Sequence, residues 1–489
     1  MEEFYKVVDT INNVFIYLFS AAFTLQLLFV LLFFLPAKKY KKAKKQHKFG
    51  IIIPARNESA VIEDTIRTIL TNQTYPKELY DIFVVADNCT DNTAELARRA
   101  GAKAVFEHFD DDPKHKRASY ALEYGFQHIL AEYDEYDAFI KFDADNIPNP
   151  EYIEKMNDAF DSGVEIARPY SNSKNLVANT STKISGLYYI RNSRFTCQVR
   201  SALHLNQMLT GAGLMVSADI IREIDGWDCM SISDDTQFAM KRILEGRKTA
   251  YVSEAVCYED QPLTLGEAFN RNKRIGKGIF KIFFADALVA LAQFFLPFRL
   301  RKTKKEKEEG KKIVWCLPFK FTYLDMFLEL LFIPMAFVAV FWFPAFYIFD
   351  IVYKACLGNI EGVIIVLKNL AFILVVFFYI PFVLQGLLCV ALDHKKMNIE
   401  SPKQVIGACF VLPVYMIVYC LSIAFGILSK PKWKAVTRSS ASSADVVAST
   451  NVHIATEFVD VTSNASDEDS ETLSVDDVTI DEHTPDDTK

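Results

Sequence analysis

Between Phe49 and Pro262 the chain alternates short apolar runs with segments whose apolar residues recur every three or four positions. FGIIIP (49–54) reads as a buried strand and ESAVIEDTIRTILTNQ (58–73) as an amphipathic helix. DIFVVADN (81–88) is a second strand. TDNTAELARRAG (90–101) is a second helix, closed by a glycine suited to a left-handed cap. KAVFE (103–107), KRASYALEYGFQHILAEY (116–133) and DAFIKFDAD (137–145) continue as strand, helix and strand. This alternation predicts a mostly parallel α/β sheet. In such sheets ligands bind beyond the carboxyl ends of the strands. Pro54, Ala55, Arg56 and Glu58, then Asp87, then Asp143 and Asp145, all fall at that edge.

Elsewhere the apolar positions are continuous rather than periodic. Val14 to Leu35 carries no charge and is long enough to cross a hydrocarbon core. Three later blocks, about Tyr323 to Phe349, Val363 to Leu392 and Val405 to Leu428, have the same character. The first block is too long for a signal peptide and no small-residue cleavage site follows it. Seven lysines among residues 38–48 come directly after it. By the positive-inside rule they place that linker in the cytoplasm, the amino terminus outside, and headgroups within reach.

Residues 264–302 mix a basic, glycine-bearing start with about twenty apolar residues, and the loop after them, RKTKKEKEEGKK, is again lysine-rich. An interfacial amphipathic helix therefore fits better than a span. Three late crossings from the cytoplasm would leave the carboxyl end outside. Yet Lys430, Lys432, Lys434 and Arg438 read as cytoplasmic. Either one late block crosses twice or not at all, or the interfacial segment crosses after all.

Composition sharpens this organisation. Hydrophobic residues make up 51% of the 489 positions, 40 of them Phe, high for a soluble enzyme. The net charge of −7 arises in residues 441–489, where thirteen acids face one lysine; without them the chain is about +5. That tail, rich in Ser, Thr and Asp, reads as disordered. Nine cysteines without a CxxC pair predict neither a disulfide framework nor a zinc site. No nucleic-acid partner is expected.

Two carboxylates one residue apart at a strand end, Asp143 and Asp145, suit a hard divalent cation, Mn²⁺ or Mg²⁺, bridging protein to a diphosphate. A capped turn is the plain alternative. Asp87 is placed to accept a hydrogen bond from a base or ribose; its plain alternative, capping the next helix, is already supplied by Thr90 and Asp91. Asp234 and Asp235 open the helix TQFAMKRILEG, where acids also serve the helix dipole. Gly211, Ala212 and Gly213 would permit close backbone approach or form a turn.

Taken in order, IIIPARNE, VVADNCTDNTAE, FDADNIPNP, TGAGLMVS, SISDDTQFAMKRILEGRKTAYV and YEDQP resemble the family 2 glycosyltransferases. The likeness is to their membrane-bound branch, which includes cellulose, hyaluronan and poly-N-acetylglucosamine synthases. The resemblance implies a GT-A fold, an α/β Rossmann-like cytosolic domain set in an α-helical multi-pass membrane protein. It implies donor contacts from Pro54, Ala55, Arg56, Glu58, Asp87, Asp143, Arg271 and Arg274, and metal ligation by Asp145 with Asp143. Acceptor contact would come from Gly211, Ala212 and Gly213. Asp235 matches the family's general base, with Asp234 able to raise its pKa.

Two departures stand out. The processive family's Gln-x-x-Arg-Trp motif here reads Arg271, Asn272, Lys273, Arg274, Ile275, so the stacking indole is missing. The usual Gly-Lys is replaced by Arg117-Ala118.

The resulting expectation is an inverting, metal-dependent membrane glycosyltransferase at the cytoplasmic face of a bacterial cell membrane. It would move a hexose or N-acetylhexosamine from a UDP-sugar to a glycan or lipid-linked acceptor. A processive synthase that extrudes its polymer is the alternative, and a nucleotide-binding transporter, which would need intramembrane charges, a distant third. The expected divisions are a transmembrane helix at 1–36, a basic linker at 37–48 and the catalytic domain at 49–265. Interfacial helices at 266–300, a basic loop at 301–320, transmembrane helices at 321–429 and the cytoplasmic acidic tail at 430–489 complete them.

Overall fold

The computed structural model describes residues 2–209, 211–397 and 399–429; the acidic tail and the basic segment at 430–438 lie outside them. A long helix α1 (Glu2–Leu31) leads through the linker into β1 (Phe49–Ala55), α2 (Ile62–Asn72), β2 (Tyr80–Asp87), α3 (Thr93–Ala100), β3 (Ala104–His108), α4 (Ala118–Glu132) and β4 (Ala138–Lys141). Then come β5 (Ile147–Pro148), α5 (Tyr152–Asp161), β6 (Ile166–Ser173), α6 (Thr180–Arg191), α7 (Gln198–Ala202), β7 (Leu214–Ser217), α8 (Ala218–Ile224), α9 (Asp234–Leu244) and β8 (Thr249–Glu259). The strands form one sheet in the order β3-β2-β1-β4-β7-β6-β8-β5.

Period two along the strands splits the core into two layers. Ile52, Phe83, Val85 and Phe139 pack with Leu122 and Phe126 of α4 on one face. Ile51, Ile53, Ile82, Val84 and Ile140 pack with Ile62 and Ile66 of α2 on the other. Each fully buried side chain of this size contributes about 1.5–3 kcal/mol, so the central strands are the anchor of the domain. They pair in parallel, β1 with β2 and β4 and β2 with β3. Beyond β4 the sheet becomes mixed, because β7 runs antiparallel to both β4 and β6. The expected strand 137–145 stops at Lys141, since Asn146 closes a turn: its side chain accepts from Asp143 N (2.9 Å) and its N–H donates to Asp143 O (3.0 Å).

The remaining elements are apolar. α10 (Leu265–Ile282) continues through a π-helical turn at 283–287 into α11 (Leu288–Phe295), and a short α12 (Lys304–Glu308) follows. Next come α13 (Phe321–Cys356), α14 (Ile360–Phe372) joined through a π-helical segment at 373–379 to α15 (Ile380–Asp393), and α16 (Lys403–Leu428). Among the described residues, five helices are long and apolar enough to cross a membrane: 2–31, 265–295, 321–356, 360–393 and 403–428. α1 and α13 run antiparallel, with Tyr5 stacked on Tyr353 and Phe19 against Phe343.

Two of the five lie along the α/β domain from end to end. α16 starts with Val405, Ala408 and Cys409 packed among Ile147, Tyr251 and Tyr258 of the domain. It ends against α10, where a Cβ on Gly276 would fall 2.9 Å from Ile423 Cα and one on Gly426 2.3 Å from Lys273 O. Lys277 Nζ donates to Ile427 O (2.6 Å), satisfying a terminal carbonyl of α16. The α10–α11 helix packs Ile282, Phe283, Ala287 and Ala290 among Trp227, Phe238 and Ile243. The helix 360–393, by contrast, buries almost none of its most apolar stretch, 6% against 50% for α16. Buried ion pairs fasten the domain to the other helices: Arg200 to Asp325 (2.8 Å) and Glu329 (2.6 Å) of α13, and Arg194 to Asp393 of α15.

Candidate active site

The carboxyl ends of β1, β2, β4 and β8 converge on one crevice. After β1, Asn57 adopts a left-handed φ of 55° and its side chain accepts from Thr90 N (2.8 Å), tying this loop to the one after β2. Glu58 N donates to Thr93 Oγ1 (2.9 Å), and Arg56 Nη1 reaches Lys116 O (3.4 Å). Pro54 and Ala55 complete β1 itself, paired with Val85 and Ala86 of β2. Asp91, not Asp87, secures the start of α3, accepting from Thr93 N and Ser59 N. Asp87 is thereby released from capping. Its Oδ1 accepts instead from Asn88 Nδ2 and pairs with His108 Nδ1, each at 2.8 Å.

Asp145 is buried and held at the crevice floor: Asp260 N donates to its Oδ2 (3.3 Å) and Asn146 Nδ2 lies 3.4 Å from its Oδ1. Gly213 has φ 70°, and a Cβ there would sit 2.4 Å from Tyr152 Oη and 2.9 Å from Pro169 Cγ, so only glycine fits. Ala212 is buried beside it. Gly211 marks the centre of the constellation. A Cβ built on it would stand 3.7 Å from each of Asp143 Oδ2, Asp235 Oδ2 and Lys141 Nζ. The space a side chain on Gly211 would fill is thus bordered by groups from two other stretches of sequence, the end of β4 and the start of α9.

Asp234 and Asp235 open α9. Asp235 Oδ1 accepts from Thr236 N (2.7 Å), while Asp234 Oδ2 is 3.6 Å from Lys141 Nζ. Burial and the neighbouring Asp234 push the Asp235 carboxyl up to about 6, against the opposing pull of Lys141. Burial alone would push the Lys141 ammonium down, but Asp234, Asp143 and Asp235 together hold it above its ordinary value. α10 closes the crevice from the side of the apolar helices. Arg271 Nη2 donates to Gln261 Oε1 (3.0 Å), with its guanidinium 5.3 Å from the Tyr189 ring centre. Arg274 lies within the field of Arg271 and Asp143.

Two residues of the crevice escape the sequence reading. Lys141 was legible in principle, because it ends β4 only two residues before Asp143. Glu259, the last residue of β8, is half-buried within the field of Asp143, Asp145 and Arg271. Burial pushes its carboxyl up to about 8, with Arg271 opposing and the two aspartates adding to the rise. Nothing in YEDQP marks it, since its neighbours come from elsewhere in the chain.

The crevice offers donors for a divalent cation. Asp143 and Asp145 offer oxygen only, the chemistry of Mg²⁺ or Mn²⁺. Among the described residues, no group of three or more His, Cys, Asp or Glu side chains is arranged to hold a metal. Two carboxylates with the remaining positions left to phosphate and water is an ordinary arrangement for Mg²⁺, so the residues fit.

The acid-lined crevice thus lies at the carboxyl edge of a Rossmann-like sheet in an α/β domain carried on long apolar helices. Residues 47–278, a little under half of the chain, match the model described as glycosyltransferase like family 2, and this stretch is a domain of that kind. The probable glycosyltransferase YdaM of Bacillus subtilis (strain 168) is 25% identical over 296 residues, 58% of this chain and 64% of that protein. A poly-beta-1,6-N-acetyl-D-glucosamine synthase of Staphylococcus aureus (strain COL) is 25% identical over 240 residues, 48% of this chain and 55% of that protein. The chain therefore spans less than two thirds of these relatives' length. Among solved structures, the mannosyltransferase PcManGT from Pyrobaculum calidifontis, in complex with GDP-Man and Mn²⁺, is 15% identical. The match covers 85% of this chain and 98% of that one, with a TM-score of 0.49.

Proposed function

We propose that the chain is an inverting, metal-dependent glycosyltransferase that moves a hexose or N-acetylhexosamine from a UDP-sugar to a glycan or lipid-linked hydroxyl at a membrane surface. The observation that carries this reading is the meeting of Asp143, Asp235 and Lys141 around Gly211. In the proposed step the acceptor oxygen bonds to the anomeric carbon as the bond from that carbon to the diphosphate breaks. The acceptor's proton passes to Asp235, and UDP leaves with the electron pair. A pKa near 6 suits that role, since the carboxylate is then free at neutral pH yet basic enough to share a proton. Asp145 with Asp143 would hold Mg²⁺ or Mn²⁺, which when bound stabilises charge on the departing diphosphate. Arg271 and Arg274 add cationic donors beside it, and Asp87 offers its second oxygen to the base or ribose. Pro54, Ala55, Arg56 and Glu58 would line the nucleoside pocket, and Gly211, Ala212 and Gly213 the acceptor side. Lys141 supplies counter-charge to Asp234.

The membrane reading follows the packing. α1, α13 and the helix 360–393 are proposed to cross, while α10–α11 and α16 lie on the cytoplasmic face with the domain. This assignment removes the parity conflict, because a block that does not cross leaves residues 430–438 cytoplasmic. It also bears on the transporter reading: among the described residues Asp286, Asp325, Asp350 and Asp393, the buried acids of the apolar helices, are all ion-paired, whereas transport calls for charges facing a pathway. Between single addition and polymer synthesis, Ile275 favours the former, because an aliphatic side chain cannot stack on a sugar as an indole does. The name of the S. aureus relative favours the latter. Both use the same site.

UDP release by the full chain in nanodiscs, across a panel of UDP-sugars with Mn²⁺ or Mg²⁺ and with the products sized, tests the proposal. Turnover with one donor that is lost in Asp235→Asn is expected. Failure of UDP to bind in the presence of metal would remove the reading.

A further inference from the structure

At the amino ends of β6 and β8, the edge opposite the carboxylate crevice, lies a cavity of about 750 Å³. Its walls come from five places: the linker after α1, the segment before β6, the end of α7 and the residues after it to Gln207, the turn into β8, and the loop between α11 and α13. Five cationic side chains line it, Lys38, Arg247, Lys248, Arg299 and Lys320. The acids among its lining residues are already engaged: Glu165 by Arg247, Glu306 by Arg299, and Glu245 by Arg242. Lys38, Lys248 and Lys320 have no carboxylate partner among the described residues, and Lys38 Nζ stands 5.0 Å from the Tyr40 ring centre. The cavity is therefore left with unneutralised positive charge.

Its position restricts what that charge meets. Lys38 N donates to Ser201 Oγ (3.1 Å) and Gln198 Nε2 to Leu35 O (2.8 Å), pinning the end of α1 to α7. Asn206 N donates to Thr322 Oγ1 (3.2 Å), pinning the first turn of α13 to the same segment. The ends of two proposed spans thus flank the opening. Trp315 of its lining, Leu317 and Phe319 of the same loop, and Phe34 just before the linker are between 65% and 74% exposed. Bare aromatic and aliphatic side chains beside lysines are the pattern of a membrane–water interface, where rings sit at headgroup depth and ammonium groups meet phosphate.

We propose that this cavity is a binding site for the headgroup phosphate of an anionic membrane phospholipid, held by Lys38, Lys248 and Lys320 while the acyl chains run past Trp315, Leu317 and Phe319. The site rests on the proposal above that α1 and α13 cross the bilayer. Its consequence is mechanical as well as chemical. A lipid bound there joins the linker, the sheet and the loop before α13, so it fixes how the domain stands on the membrane without touching the crevice.

The test is retention of lipid by the full chain, purified from nanodiscs of phosphatidylcholine and phosphatidylglycerol and read by native mass spectrometry. Wild type should keep phosphatidylglycerol in preference to phosphatidylcholine. The triple variant Lys38→Gln, Lys248→Gln, Lys320→Gln should lose that adduct by roughly tenfold. Lys39→Gln, Lys41→Gln, Lys42→Gln removes as much charge from the same linker but outside the cavity, and should keep it. Equal loss in both variants, or equal retention of the zwitterionic lipid, overturns the site. Occupation by inorganic phosphate that displaces the lipid would assign the cavity to a soluble anion and overturn the lipid reading. If the chain fails to enter nanodiscs at all, the membrane placement itself falls, and the site with it.

Discussion

Lys141→Met isolates the electrostatics of the crevice. In the native protein the Lys141 ammonium stands 3.6 Å from Asp234 Oδ2, both groups buried. At an effective dielectric of about 20 that pair is worth about 5 kcal/mol of direct attraction. Breaking such a pair typically costs about 3–5 kcal/mol, because a buried charge is left alone. The effect on Asp235 can be bounded from the geometry. Lys141 Nζ and Asp235 Oδ2 each lie 3.7 Å from the same Cβ position on Gly211, so they are at most twice that, about 7.4 Å, apart. At the same dielectric the interaction is then at least about 2 kcal/mol, or roughly 1.5 pH units. Lys141 pulls the Asp235 carboxyl down from the value that burial and Asp234 would give it, so its removal raises that carboxyl further.

The assay is the pH profile of kcat for UDP release at saturating donor and metal. In wild type, activity should rise with pH as Asp235, raised by burial and Asp234 to about 6, loses its proton. In Lys141→Met the rising limb should move to about pH 7–8, with the rates converging near about pH 9, while Lys141→Arg keeps the limb where it was. Melting curves and UDP binding verify that the variant is folded. An unmoved limb would refute the coupling. Inactivity at every pH with UDP binding intact would mean that Lys141 acts on the substrate directly.

Three further outcomes are expected. Asp145→Asn, or chelation with EDTA, should reduce turnover by at least about 100-fold; excess Mn²⁺ should restore the chelated wild type fully and the variant only in part, read as a raised metal requirement. Gly213→Ala forces a left-handed φ on alanine and drives its Cβ into Tyr152 and Pro169, so the domain should lose about 2–4 kcal/mol in denaturant unfolding. Glu259 is raised from 4.5 to about 8 in the folded protein. It therefore binds a proton more tightly folded than unfolded, and its contribution to stability is lost as pH rises from about 5 to about 8. In metal-free buffer the melting temperature should fall across that window, and Glu259→Gln should flatten the fall.

The sequence by itself determined the elements and the edge. Alternation of buried strands with amphipathic helices is a local property, and period two within β1, β2 and β4 decided which side chains enter each layer. It also put Asp87, Asp143 and Asp145 at the carboxyl edge, because a strand's direction follows from the helix that comes after it. Hydropathy likewise found every long apolar helix. Hydropathy could not tell a helix facing lipid from one facing protein, since both are apolar. Only the packing of α16 along the domain, with Gly276 and Gly426 allowing backbone contact, separated it from the helix 360–393.

Tertiary structure also decided the electrostatics. Lys141 and Glu259 acquire their character from carboxylates and guanidinium groups that are near in space and far in sequence. The same is true of the reversal of β7, whose direction depends on partners on either side. Charge interactions act through space with a strength set by burial, and no reading of neighbouring letters contains either the distances or the burial.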